Sequence, residues 1–168
     1  PPKPSSEGKP MISAKNIVNG NILFDEGYRL ISEDSFEIEA RRTRIQPNDI
    51  LLTIVGALGR SAIVPNNIQE FTLQRSVAVL NSSYCDTKFL KYSLDAPTTQ
   101  YYIVNNAKGT AQKGIYLNQL KQLPIAIAPL AEQQEIVRQL DVMLAQVEQI
   151  KARLDAIPAI LTKFRQIG

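Results

Sequence analysis

From Glu132 onward the apolar residues fall alternately four and three apart: Ile136, Leu140, Met143, Val147, Ile150, Leu154, Ile157, Leu161 and Phe164. That spacing is the a/d seam of a heptad repeat and predicts one long helix with a single apolar stripe. Glu132 and Glu135 fall in its first turn, where carboxylates complement the helix dipole. Pro158 lacks an amide hydrogen and crowds the preceding turn, so a kink or brief break is expected there, although the seam keeps its phase across it. From Ile136 to Phe164 such a helix spans about 43 Å, more than the roughly 30 Å width of a small domain. The seam is therefore expected to overhang and to need a partner helix.

Upstream the pattern changes. Residues 1–10 are rich in proline and serine and read as an extended lead-in. "MISAKNIVNGNIL" predicts a short strand or turn, with Asn19-Gly20 as a hairpin signal. Pro47-Asn48-Asp49 turns the chain into the apolar run 50–55, a buried strand by its composition. Gly56 and Gly59 break that run, residues 61–64 resume it, and "FTLQRSVAVL" adds one or two further strands. "DTKFLKYSLDAPTTQYYIVNNA" reads as two helices separated at Pro97, with Tyr101 and Tyr102 expected in the core. "KGTAQKGIYLNQLKQLPIAIAPL" reads as a loop, a short helix and a strand over residues 123–128. The fold class expected is α+β: a mixed globular domain over residues 1–130, with several short strands and helices, followed by a long coiled-coil helix over residues 131–168.

Composition narrows the chemistry. The 168 residues are 44% hydrophobic and 21% charged, as in a globular protein, with a net charge of +3. That charge is uneven. Residues 25–39 hold six acids and one arginine, residues 41–75 five arginines and two acids, and residues 88–121 five lysines and one acid. Residues 131–168 hold five of each sign. The basic excess thus sits in the globular part, which suits an anionic partner, whereas the neutral helix suits a protein partner. Arg41, Arg42 and Arg44 are expected to pair with the acids of residues 25–39.

The sequence has no histidine, which excludes histidine triads and histidine metal sites. Its single cysteine, Cys85, excludes an internal disulfide and a four-cysteine zinc site and fits a reducing compartment. "GALGRS" has two residues between its glycines and Arg60 where a phosphate loop needs lysine. "PND" and "DTK" are too loose to make a metal-dependent nuclease core. No metal, cofactor or membrane span is expected, and the chain reads as a binding module. The residues suited to binding are Gln74-Arg75-Ser76 and the amide-rich basic loop "NNAKGTAQKG". Arginine can grip a guanine edge and glutamine an adenine edge with two hydrogen bonds each, while lysines and hydroxyls hold phosphates.

The order of these pieces, "NDILLTIVGALGRSAIVP", "QRSVAVL", then "AKGTAQKGIYLNQLKQLPIAIAPLAEQQEIVRQLDVMLAQVEQIKARLDAIPAILTKFRQ", resembles the specificity subunit of type I restriction–modification systems. The resemblance covers most of the chain and is strongest over residues 108–166, where the "PLAEQ" helix start looks like the family's spacer region. It implies a non-catalytic subunit of a cytoplasmic complex, with target recognition domains that each read one half of a bipartite double-stranded DNA site. Each domain is followed by a helix, and two such helices pack antiparallel to set the gap between half-sites. It further implies a modification subunit that methylates adenine and, through it, a restriction subunit. One domain and one helix, starting at Pro1, would make this chain a half-subunit or a fragment.

Within that reading Lys15, Arg60, Arg75, Lys108, Gln112 and Lys113 are expected to face DNA, from charge and loop placement. Ile136, Leu140, Met143, Val147, Ile150, Leu154, Ile157 and Leu161 are expected to pair with a second copy or the other half of the subunit. Two other readings stay open: the recognition end of a fused methyltransferase–nuclease, and a coiled-coil adaptor whose basic face is incidental.

Overall fold

The structure, a computed structural model, describes residues 2–165 except Glu26, Ser82 and Ala111, with side chains as far as Pro158. In chain order the elements are β1 (Lys9–Ile12), β2 (Ile17–Val18), β3 (Asn21–Ile22), β4 (Arg29–Ile31), α1 (Glu33–Thr43), β5 (Ile50–Thr53), β6 (Ser61–Ile63), β7 (Thr72–Leu73), β8 (Val77–Leu80), α2 (Thr87–Asp95), α3 (Pro97–Asn106), α4 (Leu117–Leu120) and α5 (Leu130–Arg165). The chain divides into two compact units, Pro1–Ile127 and Ala128–Gly168. The architecture is α+β with a long C-terminal helix.

In the first unit β5 lies between β6 and β8, antiparallel to both. Leu51 points into a cluster with Ile12, Ile17, Ala62, Phe71, Leu73 and Val77, while Ile50 and Leu52 point the other way onto Leu94. Both faces of β5 are covered, which is why it reads as a continuous apolar run rather than an alternating one. A second sheet has β1 in its middle, antiparallel to β4 and parallel to β7. Its far side is sealed by Met11, Ile31 and Phe36, the last from α1. Asn19-Gly20 closes the β2–β3 hairpin with both residues at positive φ (50° and 78°), as a tight two-residue turn of this kind needs.

Three expectations change. Residues 123–128 form no strand and no other regular element, with Leu123 and Ile125 packed against the Ile50–Leu52–Leu94 cluster. Pro124 and Pro129 have no amide to give a ladder, so the apolar alternation is satisfied by packing alone. Tyr101 lies on the outer face of α3, 75% exposed, because Thr99 and Ile103 take the inner face; Tyr102 is half-buried and donates its hydroxyl to the Gln119 carbonyl at 3.3 Å. Of the kink or brief break expected at Pro158, the break does not occur: α5 is one continuous helix from Leu130 to Arg165. Proline removes only its own amide bond, and the helical bonds on either side remain available.

Residues 33–43, an acidic stretch in the sequence, form α1. Ser32 caps it by accepting from the Ser35 amide at 3.4 Å, and Glu33 and Asp34 fill its first turn. Its acids take up its own arginines, Arg42 on Glu39 at 2.5 Å and Arg41 on Glu37 at 3.3 Å. Arg44, in the left-handed conformation that ends the helix, donates to the Arg41 carbonyl instead.

Near the start of the second unit the Pro129 carbonyl accepts from the Glu132 and Gln133 amides at 2.9 and 3.0 Å. Glu135 binds Arg138 with two hydrogen bonds, 2.9 and 2.7 Å, and also accepts from Gln139 at 2.8 Å. Those donors hold its carboxyl down to about 2. Of the seam, Ile136 and Leu140 are half-buried, while Met143, Val147, Ile150, Leu154 and Ile157 are 43% to 59% exposed. The side chains of Leu161 and Phe164 lie outside the described residues.

Candidate nucleic-acid interface

Two loops of the first unit are fastened to the end of β5. Thr53, fully buried, accepts from the Arg60 amide at 2.9 Å through its hydroxyl oxygen and donates the hydroxyl hydrogen to the Ala57 carbonyl. Its backbone closes the same loop: the Thr53 amide donates to the Arg60 carbonyl and the Gly59 amide to the Thr53 carbonyl, both at 2.9 Å. Gly59 has φ +79°, and a side chain there would run into Gln100, whose amide donates to the Gly59 carbonyl at 2.9 Å. One buried threonine and one glycine thereby fix where Arg60 leaves the sheet.

The second loop, residues 108–114, is closed by reciprocal Lys108–Gly114 backbone bonds of 2.8 Å. It is tied to β5's extension because the Gly56 amide donates to the Lys113 carbonyl (3.1 Å) and the Ile115 amide to the Ile54 carbonyl (2.8 Å). Gly109 makes its tight turn at φ +117°, where a Cβ would land on the Gln112 carbonyl oxygen.

Between these loops and the Gln74–Ser76 turn lies a cleft of about 580 Å³. Lys15, Arg60, Arg75 and Gln112 line it together with Ser13, Gln74 and Ser76. Four of the six residues expected to face DNA are thus brought to one place. Lys108 and Lys113 belong to the loop that carries Gln112, but do not line the cleft. All six are exposed. No carboxylate lines the cleft among the described residues. Arg60 spends one weak bond, 3.5 Å, on the Ile17 carbonyl. The side chains of Lys15, Arg75, Lys108, Gln112 and Lys113 make no hydrogen bond or ion pair among the described residues, whereas Arg41 and Arg42 of α1 are committed to carboxylates. Charge placement in the sequence pointed to the cations. Ser13 carries no such signal, and it reaches the cleft because it follows β1 and caps the short 3-10 turn Ala14–Asn16 beside the Gln74–Ser76 turn, where the Ala14 amide donates to the Ser76 hydroxyl at 3.2 Å.

The aspartates of the two nuclease-like tripeptides have backbone roles instead. Asp49 accepts from the Gln46 amide at 2.7 Å and from Asn81 at 3.0 Å, and Asp86 caps α2 through the Phe89 amide at 3.0 Å. Among the described residues no cluster of histidine, cysteine and carboxylate side chains could hold a metal ion, and no helix is long and apolar enough to cross a membrane.

Residues 3–159 match the family described as the type I restriction modification DNA specificity domain. The chain is 30% identical over 151 residues to the type I restriction enzyme EcoBI specificity subunit of Escherichia coli, covering 89% of this chain and 31% of that protein. It is also 30% identical over 162 residues to the StySPI specificity subunit of Salmonella potsdam, covering 94% and 34%. The chain therefore spans about a third of the length of these curated relatives. Among solved structures, it shares its fold with the type I restriction–modification S subunit from M. genitalium, at TM-score 0.52 and 21% identity over 88% of this chain and 35% of that one. A chain of a type I R-M system solved for its complex assembly and conformational transition gives TM-score 0.61 at 17% identity, over 97% and 39%. This protein belongs to the type I restriction–modification DNA specificity family.

Proposed function

We propose that residues 1–130 read one half of a bipartite double-stranded DNA site and that residues 131–168 are the spacer that pairs with a second such helix. In this reading the chain performs no catalysis. It hands a chosen DNA sequence to a modification subunit and, through that subunit, to a restriction subunit, in the cytoplasm. The observation that carries the reading is the cleft with Lys15, Arg60, Arg75 and Gln112 around it and no carboxylate among its described lining residues, on a chain of this family. Cations supply sequence-independent attraction to phosphates, while amide and guanidinium groups beside them can distinguish bases. The exposed stripe Met143, Val147, Ile150, Leu154 and Ile157 is the surface that a second helix would cover, and two-fold pairing would present two clefts to two half-sites. Selection from a randomised duplex pool, with the chain co-purified with its modification subunit, tests the reading. A short motif repeated at fixed spacing is expected; a stable complex that enriches no sequence contradicts it.

A further inference from the structure

We infer that Gln74, Arg75 and Gln112 are the base-reading side chains of the cleft and that they read purine edges, while Lys15 holds phosphate. The inference rests on the DNA reading above and says which contacts carry its sequence information.

The chemistry separates the groups first. A guanidinium can place two parallel N–H bonds on O6 and N7 of guanine, and a glutamine amide can donate to N7 and accept from N6 of adenine. A lysine ammonium is a point charge and makes no such fork. Of the described side chains lining the cleft, Gln74, Gln112, Arg60 and Arg75 have planar forked ends. Of these four, Arg60 is the one whose side chain donates to the protein itself, at 3.5 Å to the Ile17 carbonyl; each arginine also borders a second cleft, Arg60 with Lys91 and Asp95, Arg75 with Glu39 and Arg42.

Rigidity separates them next, because discrimination between bases needs donors held in place before DNA arrives. Arg75 sits at the tip of a tight turn closed by the Val77 amide on the Gln74 carbonyl at 3.1 Å. Both neighbours are fastened to other strands. The Gln74 amide donates to the Ile12 carbonyl at 2.8 Å, and the Ser76 carbonyl accepts from the Ile54 amide at 2.8 Å. The Ser76 hydroxyl accepts from the Ala14 amide at 3.2 Å. The backbone that carries Gln74 and Arg75 is thus pinned to β1 and to the end of β5. Gln112 faces them from the loop sewn to Gly56; its amide nitrogen lies 3.1 Å from where a Cβ on Gly56 would stand, so that glycine keeps the amide's place open. Two walls of one cleft therefore hold planar groups that can meet adjacent base pairs. The selected half-site should contain a guanine and an adenine within a few base pairs of one another, read through the major groove.

The test repeats the duplex selection, in complex with the modification subunit, for the wild type and for Arg75→Ala, Arg75→Lys, Gln112→Ala and Lys15→Ala, with folding checked by thermal melting. Arg75→Lys keeps the charge and loses the fork. It should bind the pool nearly as tightly as the wild type with a weaker preference at one guanine position, a preference that Arg75→Ala should lose by about 10- to 100-fold. Gln112→Ala should relax one adenine position. Lys15→Ala should keep the whole motif and weaken all sequences alike, with a shallower salt dependence. A wild-type motif that both Arg75 variants and Gln112→Ala leave unchanged overturns this assignment alone. A wild type that selects no motif overturns the DNA reading and the assignment with it.

Discussion

Replacing Thr53 by valine isolates the device that aims Arg60. The two side chains have nearly the same shape, and Thr53 is fully buried, so packing in β5 is preserved. What disappears is the oxygen that accepts from the Arg60 amide at 2.9 Å and donates to the Ala57 carbonyl. Each lost hydrogen bond removes about 0.5–1.5 kcal/mol net, and a donor left unpaired in a partly buried loop adds its own desolvation cost. The main-chain bonds between Thr53, Gly59 and Arg60 remain, so the loop keeps its path at lower stability. The expected destabilisation is about 1–3 kcal/mol, in the range for loss of buried hydrogen bonds. Urea unfolding should show a lower midpoint with an unchanged slope, and Thr53→Ser, which retains the oxygen, should recover most of the loss. A midpoint within error of the wild type would refute the claim that this hydroxyl holds the loop.

Other perturbations test other parts of the chain. Glutamate at Leu140 or Val147 should abolish self-association through α5, seen as a monomer by sedimentation at concentrations where the wild type pairs; a dimer that survives both changes contradicts the helix-pairing role. Gly59→Ala should lower the melting temperature, because it combines φ +79° with a collision against Gln100, and a cost of about 1 kcal/mol or more is expected. Glu135 has its carboxyl lowered to about 2 from 4.5, so its contribution is fully present above about pH 4.5 and is lost as pH falls through about 2. Arg138→Met removes the main cause of that lowering, and carboxyl NMR should then find Glu135 titrating closer to 4.5.

Much of the fold could be read from the chain because its signals are local. Asn19-Gly20 gives its hairpin, Pro97 starts a helix at the position where proline is tolerated, and the apolar run of β5 survives because both of its faces are buried. The helix α1 was hidden because it buries little: Phe36 is its one buried residue and Ile38 stands 68% exposed, so no apolar period emerges from the surrounding charge. Residues 123–128 have the alternation of a strand, but alternation reports burial rather than ladder pairing. At the cleft, charge and loop placement found the cations. Their convergence depends on the Gly56–Lys113 and Ile54–Ser76 backbone bonds, which join segments far apart in sequence and leave no mark on it.

The central claim is that the first unit distinguishes one DNA sequence from another. The most direct measurement is a competition binding titration at physiological salt, comparing the motif selected by the wild-type complex with a scrambled duplex of the same length and composition. Specific recognition predicts a preference on the order of a thousand-fold or more for the motif. Equal affinity for both duplexes, with a steep loss as salt rises, would contradict the account and leave α5 as the working part of a protein that binds DNA only through its charge.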